Sequence, residues 1–370
     1  MSTIDQLIAS GVRGLQPYQP GKPAETLERE LGITNIIKLA SNENPHGASP
    51  LVAAAITDTL SGLARYPDGS GYSLKETLSK RLGVSAEQIT LGNGSNDVLD
   101  LVVRAFVDPG QQVVIAEYAF AVYALATQSV NGELIVVPAR DFGHDLEAMA
   151  TAVTDFTRVV FVANPNNPTG TYRDCASIEH FLEALPSSVI VVIDEAYFEY
   201  VKELDYPDSI RLLSHFSNLI VVRTFSKAYG LAGLRVGYAI ASEQITEVLN
   251  RVRHPFNVNS LALAAAEAAL DDQDFVVRSV TENLKGLKQL ASGFGELGLG
   301  WIPSVANCIC VRVGPNATQI FESMLRQGVI VRPVANYGLT DYLRVSVGLE
   351  EENDRVIETL KNALADSTGS

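Results

Sequence analysis

A lysine with hydroxyl and guanidinium neighbours is the most informative chemical feature of the sequence, in the run RTFSKAYGLAGLRVG at positions 223–237. Lys227 lies between the hydroxyls of Thr224 and Ser226, and Arg235 follows eight positions later. An amine can form a Schiff base with an aldehyde, while hydroxyls and a guanidinium can hold a phosphate. A lone lysine is usually a solvated surface residue, but these neighbours favour a site for a phosphorylated aldehyde cofactor.

A carboxylate at the end of an apolar run is the second candidate, in VVIDEAY at positions 191–197. Asp194 could hydrogen-bond the protonated nitrogen that a pyridine ring needs in order to accept electrons, and Tyr197 could reach the ring hydroxyl. A carboxylate in such a place is also commonly a helix cap or one half of a structural ion pair. A tyrosine commonly packs with only its hydroxyl in water. These residues alone leave both interpretations open.

Two turns that follow strand-like runs, together with one aromatic residue, complete this set of candidates. The turn ANPNNPTG at 163–170 is explained mostly by backbone geometry, but the amide of Asn167 could donate to a phenolate oxygen of the cofactor. The turn LGNGSND at 91–97 precedes a predicted helix. Gly94, Ser95 and Asn96 could therefore offer backbone N–H groups to a phosphate, or form a simple helix cap. Phe120 could stack on the cofactor ring or fill the core.

Short apolar runs alternating with helical patterns supply the elements that must position these residues. The runs share β-branched composition and lie at 113–116, 134–137, 159–163, 189–193 and 219–222. Such runs suit strands buried on both faces, and the helical stretches between them predict a mostly parallel α/β sheet. Ligand chemistry is then expected at the carboxyl ends of the strands, where the candidate residues lie.

The alternation stops near residues 253–259, where His254-Pro255-Phe256-Asn257 disfavours a regular helix. Strand-like runs at 308–313, 329–333 and 342–347 and an amphipathic helix at about 351–365 follow, which is typical of a smaller α+β domain. The sequence thus predicts an N-terminal arm and connection (1–35), a large cofactor-binding domain (36–255) and a small C-terminal domain (256–370).

Composition and charge argue against nucleic acid and membranes as partners. The chain carries 28 Lys and Arg against 43 Asp and Glu, a formal net charge of −15, which disfavours nucleic acid and anionic membranes. No apolar run is long enough for a membrane span, and the first residues lack the features of a secretory signal. The three cysteines form no zinc-like pattern. We therefore expect a cytoplasmic protein with no metal site.

The run S-K-x-x-x-L-x-G-L-R-x-G resembles the signature of fold-type-I, pyridoxal-phosphate-dependent aminotransferases, and the similarity extends over nearly the whole chain. Within that superfamily the sequence is similar to the histidinol-phosphate aminotransferase family. The segments that carry this similarity are LQPYQPG at 15–21, LASNENPHG at 39–47, RYPDGSG at 65–71 and LRVSVG at 343–348.

The resemblance implies the fold and the cofactor. It implies a large domain with a mostly parallel, seven-stranded sheet sandwiched by helices, plus the smaller α+β domain, and pyridoxal 5'-phosphate as the cofactor. Lys227 would be the Schiff-base lysine and Asp194 the partner of the pyridine nitrogen, with Phe120 stacked on the ring. The family often has a tyrosine at the stacking position, so a hydrogen bond is lost here.

The resemblance also implies the remaining binding roles. The ring oxygen would be contacted by Asn167 and Tyr197, and the cofactor phosphate by a set of polar residues: Gly94, Ser95, Asn96, Thr224, Ser226 and Arg235. Tyr66 would reach that phosphate in the neighbouring subunit, which implies a homodimer. Tyr18, Arg332 and Arg344 match positions that hold a substrate anion, although an isolated arginine is more often part of a surface ion pair.

The reaction that the resemblance implies is amino transfer from L-histidinol phosphate to 2-oxoglutarate, giving imidazole acetol phosphate and L-glutamate, in histidine biosynthesis. Lys227 would serve both as covalent anchor and as base. Three alternatives stay open: an aromatic-amino-acid aminotransferase, a phosphothreonine decarboxylase, and a cofactor-binding regulator without catalysis. The last would usually carry an additional DNA-binding domain and a basic patch, for which this acidic chain has no spare length.

Overall fold

A computed structural model of the protein describes residues 3–17 and 21–368. The helices in this part of the chain are α1 (Thr3–Leu7), α2 (Ala24–Leu31), α3 (Pro50–Thr59), α4 (Tyr72–Leu82), α5 (Ser95–Phe106), α6 (Ala121–Ser129), α7 (Leu146–Thr151), α8 (Cys175–Ala184), α9 (Ser209–Leu212), α10 (Glu243–Val252), α11 (Ser260–Asp271), α12 (Gln273–Glu296), α13 (Ala317–Arg326) and α14 (Glu350–Thr368). None of these helices combines the length and the apolar character that crossing a membrane requires.

The strands of the described residues form two larger sheets and one short pair. They are β1 (Ile37–Lys38), β2 (Ile89–Gly92), β3 (Gln112–Ala116), β4 (Glu133–Val137), β5 (Thr157–Ala163), β6 (Ile190–Asp194), β7 (Leu219–Thr224), β8 (Gly237–Ala241), β9 (Trp301–Ile302), β10 (Cys308–Arg312), β11 (Val329–Ile330), β12 (Arg332–Pro333) and β13 (Tyr342–Ser346).

The large sheet has seven strands in the order β2-β8-β7-β6-β5-β3-β4. All of its strands run parallel except β8, which is antiparallel to both β2 and β7. Side chains alternate between two hydrophobic cores, one on each face, as Val191 and Ile193 on one face and Val192 on the other illustrate. The predicted mostly parallel sheet sandwiched by helices is therefore confirmed.

The antiparallel strand of the large sheet, β8, explains how the two ends of the motif that contains Lys227 and Arg235 meet. Strands β7 and β8 form a hairpin in which Thr224 is the partner of Gly237. The backbone N–H of Phe225 extends the pairing by donating to Val236 O at 3.1 Å. The connection between these strands carries Lys227 and Arg235, so both residues return to the same end of the sheet.

The smaller unit is built on the antiparallel sheet β12-β13-β10-β9, which packs against α12, α13 and α14. The predicted strand at 329–333 is divided, because β11 pairs with β1 in parallel whereas β12 pairs with β13. The domain boundaries stay predictions. Helix α11 packs against α3 and α4 beside the large sheet, and β1 belongs by pairing to the smaller unit.

Candidate active site

Most of the predicted residues line one cavity of about 340 Å³ at the carboxyl ends of β5, β6 and β7, facing the smaller unit. Its lining includes most of the residues that the sequence singled out: Ser95, Asn96, Phe120, Asn167, Asp194, Tyr197, Thr224, Ser226, Lys227, Arg235, Arg332 and Arg344. The residues that follow the parallel strands lie together because the carboxyl ends of these strands share one edge of the sheet. Arg332 and Arg344 come instead from the antiparallel sheet of the smaller unit.

Lys227 lies in this cavity three residues beyond the end of β7. Its Nζ donates to the carbonyl oxygen of Ser41 at 3.1 Å. Removal from water, with the nearby cations Arg344 and Arg235, lowers the pKa of Lys227 from 10.5 to about 8. A substantial fraction of this amine is therefore neutral near pH 8, which is the form that attacks an aldehyde or accepts a proton.

Asp194, the last residue of β6, is only 5% exposed. One carboxylate oxygen accepts from Tyr123 Oη at 2.7 Å, and the other accepts from the backbone N–H of Ala196 at 3.2 Å. Tyr123 is fixed in turn by stacking on Phe161, with ring centroids 4.5 Å apart. Burial raises the pKa of Asp194 to about 6. Its two partners are uncharged, so the carboxylate can still pair with a cationic ring nitrogen.

An anion cradle lies on the other side of Lys227. Arg235 Nη1 donates to Ser226 Oγ at 3.2 Å, and Thr224 Oγ1 donates to the same oxygen at 3.0 Å. The N-terminus of α5 faces this group, because a Cβ placed on Gly94 would lie 2.3 Å from Arg235 Nη2. Gly94 has a φ of +82°, which glycine adopts without strain. Hydroxyls, a guanidinium and a helix N-terminus form a donor set suited to a phosphate.

Asn167 and Tyr197 line the remaining wall near Lys227. Asn167 Oδ1 accepts from Arg344 Nη1 at 2.6 Å, which turns the amide nitrogen of Asn167 away from the arginine. Tyr197 is 3% exposed, and its ring centroid lies 5.7 Å from Lys227 Nζ. Its hydroxyl accepts from Asn42 Nδ2 at 2.9 Å. Both side chains are placed to contact a ring bound to the lysine.

The two predicted anion-binding arginines are direct neighbours. Arg332 on β12 and Arg344 on β13 are Cα partners in the antiparallel sheet, and both line the cavity. Arg344 is 6% exposed, and its Nη2 donates to Ala40 O at 2.6 Å. Tyr18, the third predicted member of this group, lies outside the described residues.

Tyr66 stands apart from the cavity of its own chain. It is 82% exposed and stacks on Phe256, with ring centroids 4.8 Å apart. Phe120, by contrast, lines the cavity as the residue before α6 and packs edge-to-face with Tyr123 at 5.9 Å. The role of Tyr66 in a second subunit stays a prediction.

A buried ion pair behind the cavity escaped the sequence analysis. Glu195 is fully buried and Arg223 is 4% exposed. Glu195 Oε2 accepts from Arg223 Nε at 2.8 Å and forms an ion pair with Arg223 Nη2, also at 2.8 Å. The guanidinium carbon of Arg223 lies 3.5 Å from the ring centroid of Phe198. Although burial alone would lower it, the carboxylate of Glu195 raises the pKa of Arg223. The strand-end position of Glu195, directly after Asp194, was the available signal.

The segment Ala40–Asn42 was also missed, although it contributes backbone and side-chain contacts. The carbonyl oxygens of these three residues accept, in order, from Arg344, Lys227 and Asn307. Its motif LASNENPHG carried part of the family similarity, and that was the signal from which its position in the site could have been inferred.

Comparisons with known proteins agree with this geometry. The family model described as aminotransferase class I and II matches residues 34–360. The chain is 55% identical over 361 residues to histidinol-phosphate aminotransferase 2 of Pseudomonas fluorescens, covering 97% of this chain and 98% of the relative. It is 56% identical over 367 residues to the protein of the same name in Pseudomonas aeruginosa, covering 99% and 100%.

A similar solved structure is the histidinol-phosphate aminotransferase of Sinorhizobium meliloti in complex with pyridoxal-5'-phosphate. It has a TM-score of 0.90 and 29% sequence identity, with 97% of this chain and 98% of that chain covered. The aspartate aminotransferase of Thermus thermophilus with maleate shares the fold, with a TM-score of 0.84 at 21% identity over 96% of this chain and 99% of that chain.

Proposed function

The chain belongs to the class I and II aminotransferase family, and we propose that it transfers the amino group of L-histidinol phosphate to 2-oxoglutarate. The products are imidazole acetol phosphate and L-glutamate, and the reaction is reversible. One observation carries the proposal: a single cavity joins a lysine of lowered pKa, a buried carboxylate, a phosphate cradle and two further arginines. The relatives of about 55% identity bear the name of this activity.

The described residues fit pyridoxal 5'-phosphate. Asp194 would pair with the ring nitrogen, Lys227 would bind the aldehyde carbon, and Arg235, Ser226 and the α5 N-terminus would hold the phosphate. When bound, the cofactor supplies an aldehyde for the amine and a ring that accepts electrons. The donor set of the cradle supports this assignment, since three kinds of phosphate-binding group converge there.

Lys227 Nζ moves the proton during the reaction. As a neutral amine it would accept a proton from the substrate carbon that bears the amino group. It would then donate that proton to the cofactor carbon that had carried the aldehyde. The lowered pKa favours this role, because a base works best when its pKa lies near the working pH. Tyr197 and Asn167 orient the ring against which this transfer takes place.

Arg332 and Arg344 would select the substrate. Their side chains lie at Cα-paired positions at the cavity wall, so two guanidinium groups can hold either the phosphate of the donor or the carboxylates of 2-oxoglutarate. Phenylalanine carries a monoanionic α-carboxylate in the place where histidinol phosphate carries a dianionic phosphate ester. The pair therefore favours histidinol phosphate over aromatic amino acids as the donor.

The proposed assembly is a homodimer in which Tyr66 reaches the phosphate cradle of the neighbouring subunit. The exposed stack of Tyr66 on Phe256 supports this assembly, because such aromatic surface is usually covered by a partner. The proposed location is the cytoplasm, since Cys175, Cys308 and Cys310 are all free thiols, as a reducing compartment maintains them.

The substrate assignment is tested by measuring glutamate formation from 2-oxoglutarate with histidinol phosphate, histidinol or phenylalanine as donor. We expect kcat/KM for histidinol phosphate to exceed that for histidinol by about 100-fold, because two charge-assisted hydrogen bonds are lost with the phosphate. It should also exceed that for phenylalanine, whose carboxylate carries one negative charge fewer than the phosphate. Lys227→Ala, with unchanged circular dichroism, should show no turnover. Equal or better rates with phenylalanine would refute the assignment.

The dimer is tested with mixed dimers of Lys227→Ala and Tyr66→Phe chains, purified through two different tags. Tyr66→Phe homodimers should bind the cofactor about tenfold more weakly, because one hydrogen bond to the phosphate is lost. If Tyr66 acts in the neighbouring site, each mixed dimer contains one complete site and should recover about half of the wild-type activity at limiting cofactor. Activity no higher than that of Tyr66→Phe would place Tyr66 in its own site or in none.

A further inference from the structure

Asn42 is a buried polar residue in the segment between β1 and α3. It is 1% exposed and has a φ of +54°, in the left-handed region that asparagine tolerates better than most residues. The preceding residue, Ser41, accepts a hydrogen bond from Lys227. Asn42 is therefore held beside the proposed catalytic amine.

The polar atoms of Asn42 form hydrogen bonds with residues of both the smaller unit and the large one. Its backbone N–H donates to Ser346 Oγ at 2.8 Å, and Ser346 Oγ donates to Asn42 Oδ1 at 2.9 Å. Its Nδ2 donates to Tyr197 Oη at 2.9 Å and lies 3.2 Å from Cys308 Sγ. Its carbonyl oxygen accepts from Asn307 Nδ2 at 2.9 Å. The amide thus bridges β13 of the smaller unit and Tyr197 of the large one.

The bond to Ser346 fixes the orientation of the amide. Because the Ser346 hydroxyl already accepts from the backbone of Asn42, its own proton is available for Oδ1. Oδ1 then faces Ser346, and Nδ2 faces Tyr197. A phenol has one proton to donate, so a tyrosine oxygen that accepts from Asn42 keeps its proton for another acceptor.

We propose that Asn42 is a positioning residue that makes Tyr197 a hydrogen-bond donor toward the ring oxygen of the bound cofactor. This inference rests on the proposed function, in which Tyr197 contacts that oxygen. Ser346 holds the amide in the required orientation, two residues along β13 from Arg344. The strand that carries the substrate-binding arginine therefore also sets the hydrogen bond at the ring.

The charged and titratable groups around Tyr197 come from several elements. Asp194 ends β6, Cys308 begins β10 and Arg344 lies in β13, and each of these three groups influences the pKa of Tyr197. Lys227 follows β7, and its Nζ lies 5.7 Å from the centroid of the Tyr197 ring. A substitution at Asn42 must therefore be separated from a general change of charge. A double-mutant cycle makes this separation.

The test is the pH midpoint of the visible absorbance change of the cofactor-loaded protein. A donor to the ring oxygen stabilises its negative charge, so loss of that donor should raise the midpoint, by about one pH unit for Tyr197→Phe. Asn42→Asp is nearly isosteric, and its carboxylate would accept the Tyr197 proton. We expect Asn42→Asp to raise the midpoint by a similar amount, and to raise it much less in the Tyr197→Phe background.

The cycle separates the two effects because the new carboxylate charge acts in both backgrounds, whereas the donor can be lost only where the phenol is present. Equal shifts from Asn42→Asp in the two backgrounds would overturn the inference and leave the proposed contact of Tyr197 intact. An unchanged midpoint in Tyr197→Phe would overturn both. Absence of a visible band in the wild-type protein would instead refute the proposed cofactor function.

Two further variants keep the test decisive if Asn42→Asp does not fold. Ser346→Ala removes the hydroxyl that orients the amide, so it should raise the midpoint in the same direction by a smaller amount, and only when Tyr197 is present. Cys308→Ala removes the other neighbour of Nδ2 and should leave the midpoint unchanged. A shift with Cys308→Ala as large as that with Ser346→Ala would show that any nearby substitution has this effect, and would overturn the inference.

Discussion

Asp194 and Glu195 are adjacent in the chain, yet they belong to two regions with opposite electrostatic character. Asp194 faces the cavity, and its carboxylate accepts hydrogen bonds from two neutral donors, Tyr123 and the backbone N–H of Ala196. Glu195 turns to the other side and forms a buried ion pair with Arg223. The same alternation on β7 places Arg223 behind the cavity and Thr224 inside it.

The difference shows how a ligand-binding carboxylate can be distinguished from a buried ion pair that stabilises the fold. In the region behind the cavity, the charges of Arg223 and Glu195 neutralise each other within the chain. At the floor of the cavity, the buried carboxylate of Asp194 forms no ion pair with any residue in the part of the chain that the structure describes, and its raised pKa of about 6 reflects the cost of burial. A cationic ring nitrogen would supply the missing partner.

The largest expected effect comes from neutralising the cavity carboxylate. Asp194→Asn keeps the shape of the side chain but cannot stabilise a protonated ring nitrogen. We expect kcat to fall by about 10³-fold, a change of about 4 kcal/mol in transition-state free energy. Steady-state kinetics at saturating cofactor check this outcome. A loss of less than tenfold would mean that Asp194 does not contact the ring nitrogen.

Neutralising the carboxylate of Glu195 should instead lower the stability of the folded protein. Glu195→Gln removes the carboxylate that forms the ion pair with the buried Arg223 guanidinium, and we expect the free energy of unfolding to fall by about 3 to 5 kcal/mol. Chemical denaturation monitored by circular dichroism measures this change. The matched control is Glu195→Gln combined with Arg223→Met, which removes both charges and should recover part of the stability. If the double variant is less stable than Glu195→Gln alone, the isolated charge is not the cause.

The smallest expected effect is on the stability of the cofactor-free protein, where substitution of Asp194 and substitution of Glu195 should have opposite signs. The folded-state pKa of Asp194, about 6, lies above its ordinary value of 3.8, so the folded state binds more protons between these values. Stability should therefore decrease as pH rises from about 4 to about 6. Asp194→Asn removes this cost, and we expect about 2 kcal/mol of added stability at pH 8.

Denaturation of cofactor-free wild-type and Asp194→Asn proteins at pH 4 and pH 8 checks this sign. The advantage of the variant should be present at pH 8 and disappear near pH 4. Destabilisation at pH 8, as expected for Glu195→Gln, would remove the distinction between the two regions.

The sequence was sufficient for features that depend on local order along the chain. The α/β alternation predicted the parallel sheet, and the positions of Asp194 and Lys227 after apolar runs predicted that they share one edge of it. The family motifs then predicted the partners of the cofactor. The structure places Asp194 and Lys227 in one cavity, as expected, because a strand end is recognisable from a short window of sequence. The roles of the individual residues toward the cofactor stay predictions.

Contacts between distant segments could not be predicted in this way. Tyr123 reaches Asp194 across 71 positions, and Asn42 reaches Tyr197 across 155 positions. In each case the residue type was unremarkable: a tyrosine in a helix and an asparagine in a loop. The pairing depends on how helices and the smaller unit pack on the sheet, which no local pattern specifies.

The row of carbonyl groups at Ala40–Asn42 has a consequence for the evolution of chain length. Arg344, Lys227 and Asn307 are bound by backbone atoms, so exchange of the Ala40 or Ser41 side chain does not remove these contacts. An insertion or deletion of one residue between β1 and α3 would displace the three carbonyls together. Natural variation in this segment should therefore change the side chains of residues 40 and 41 and preserve the number of residues.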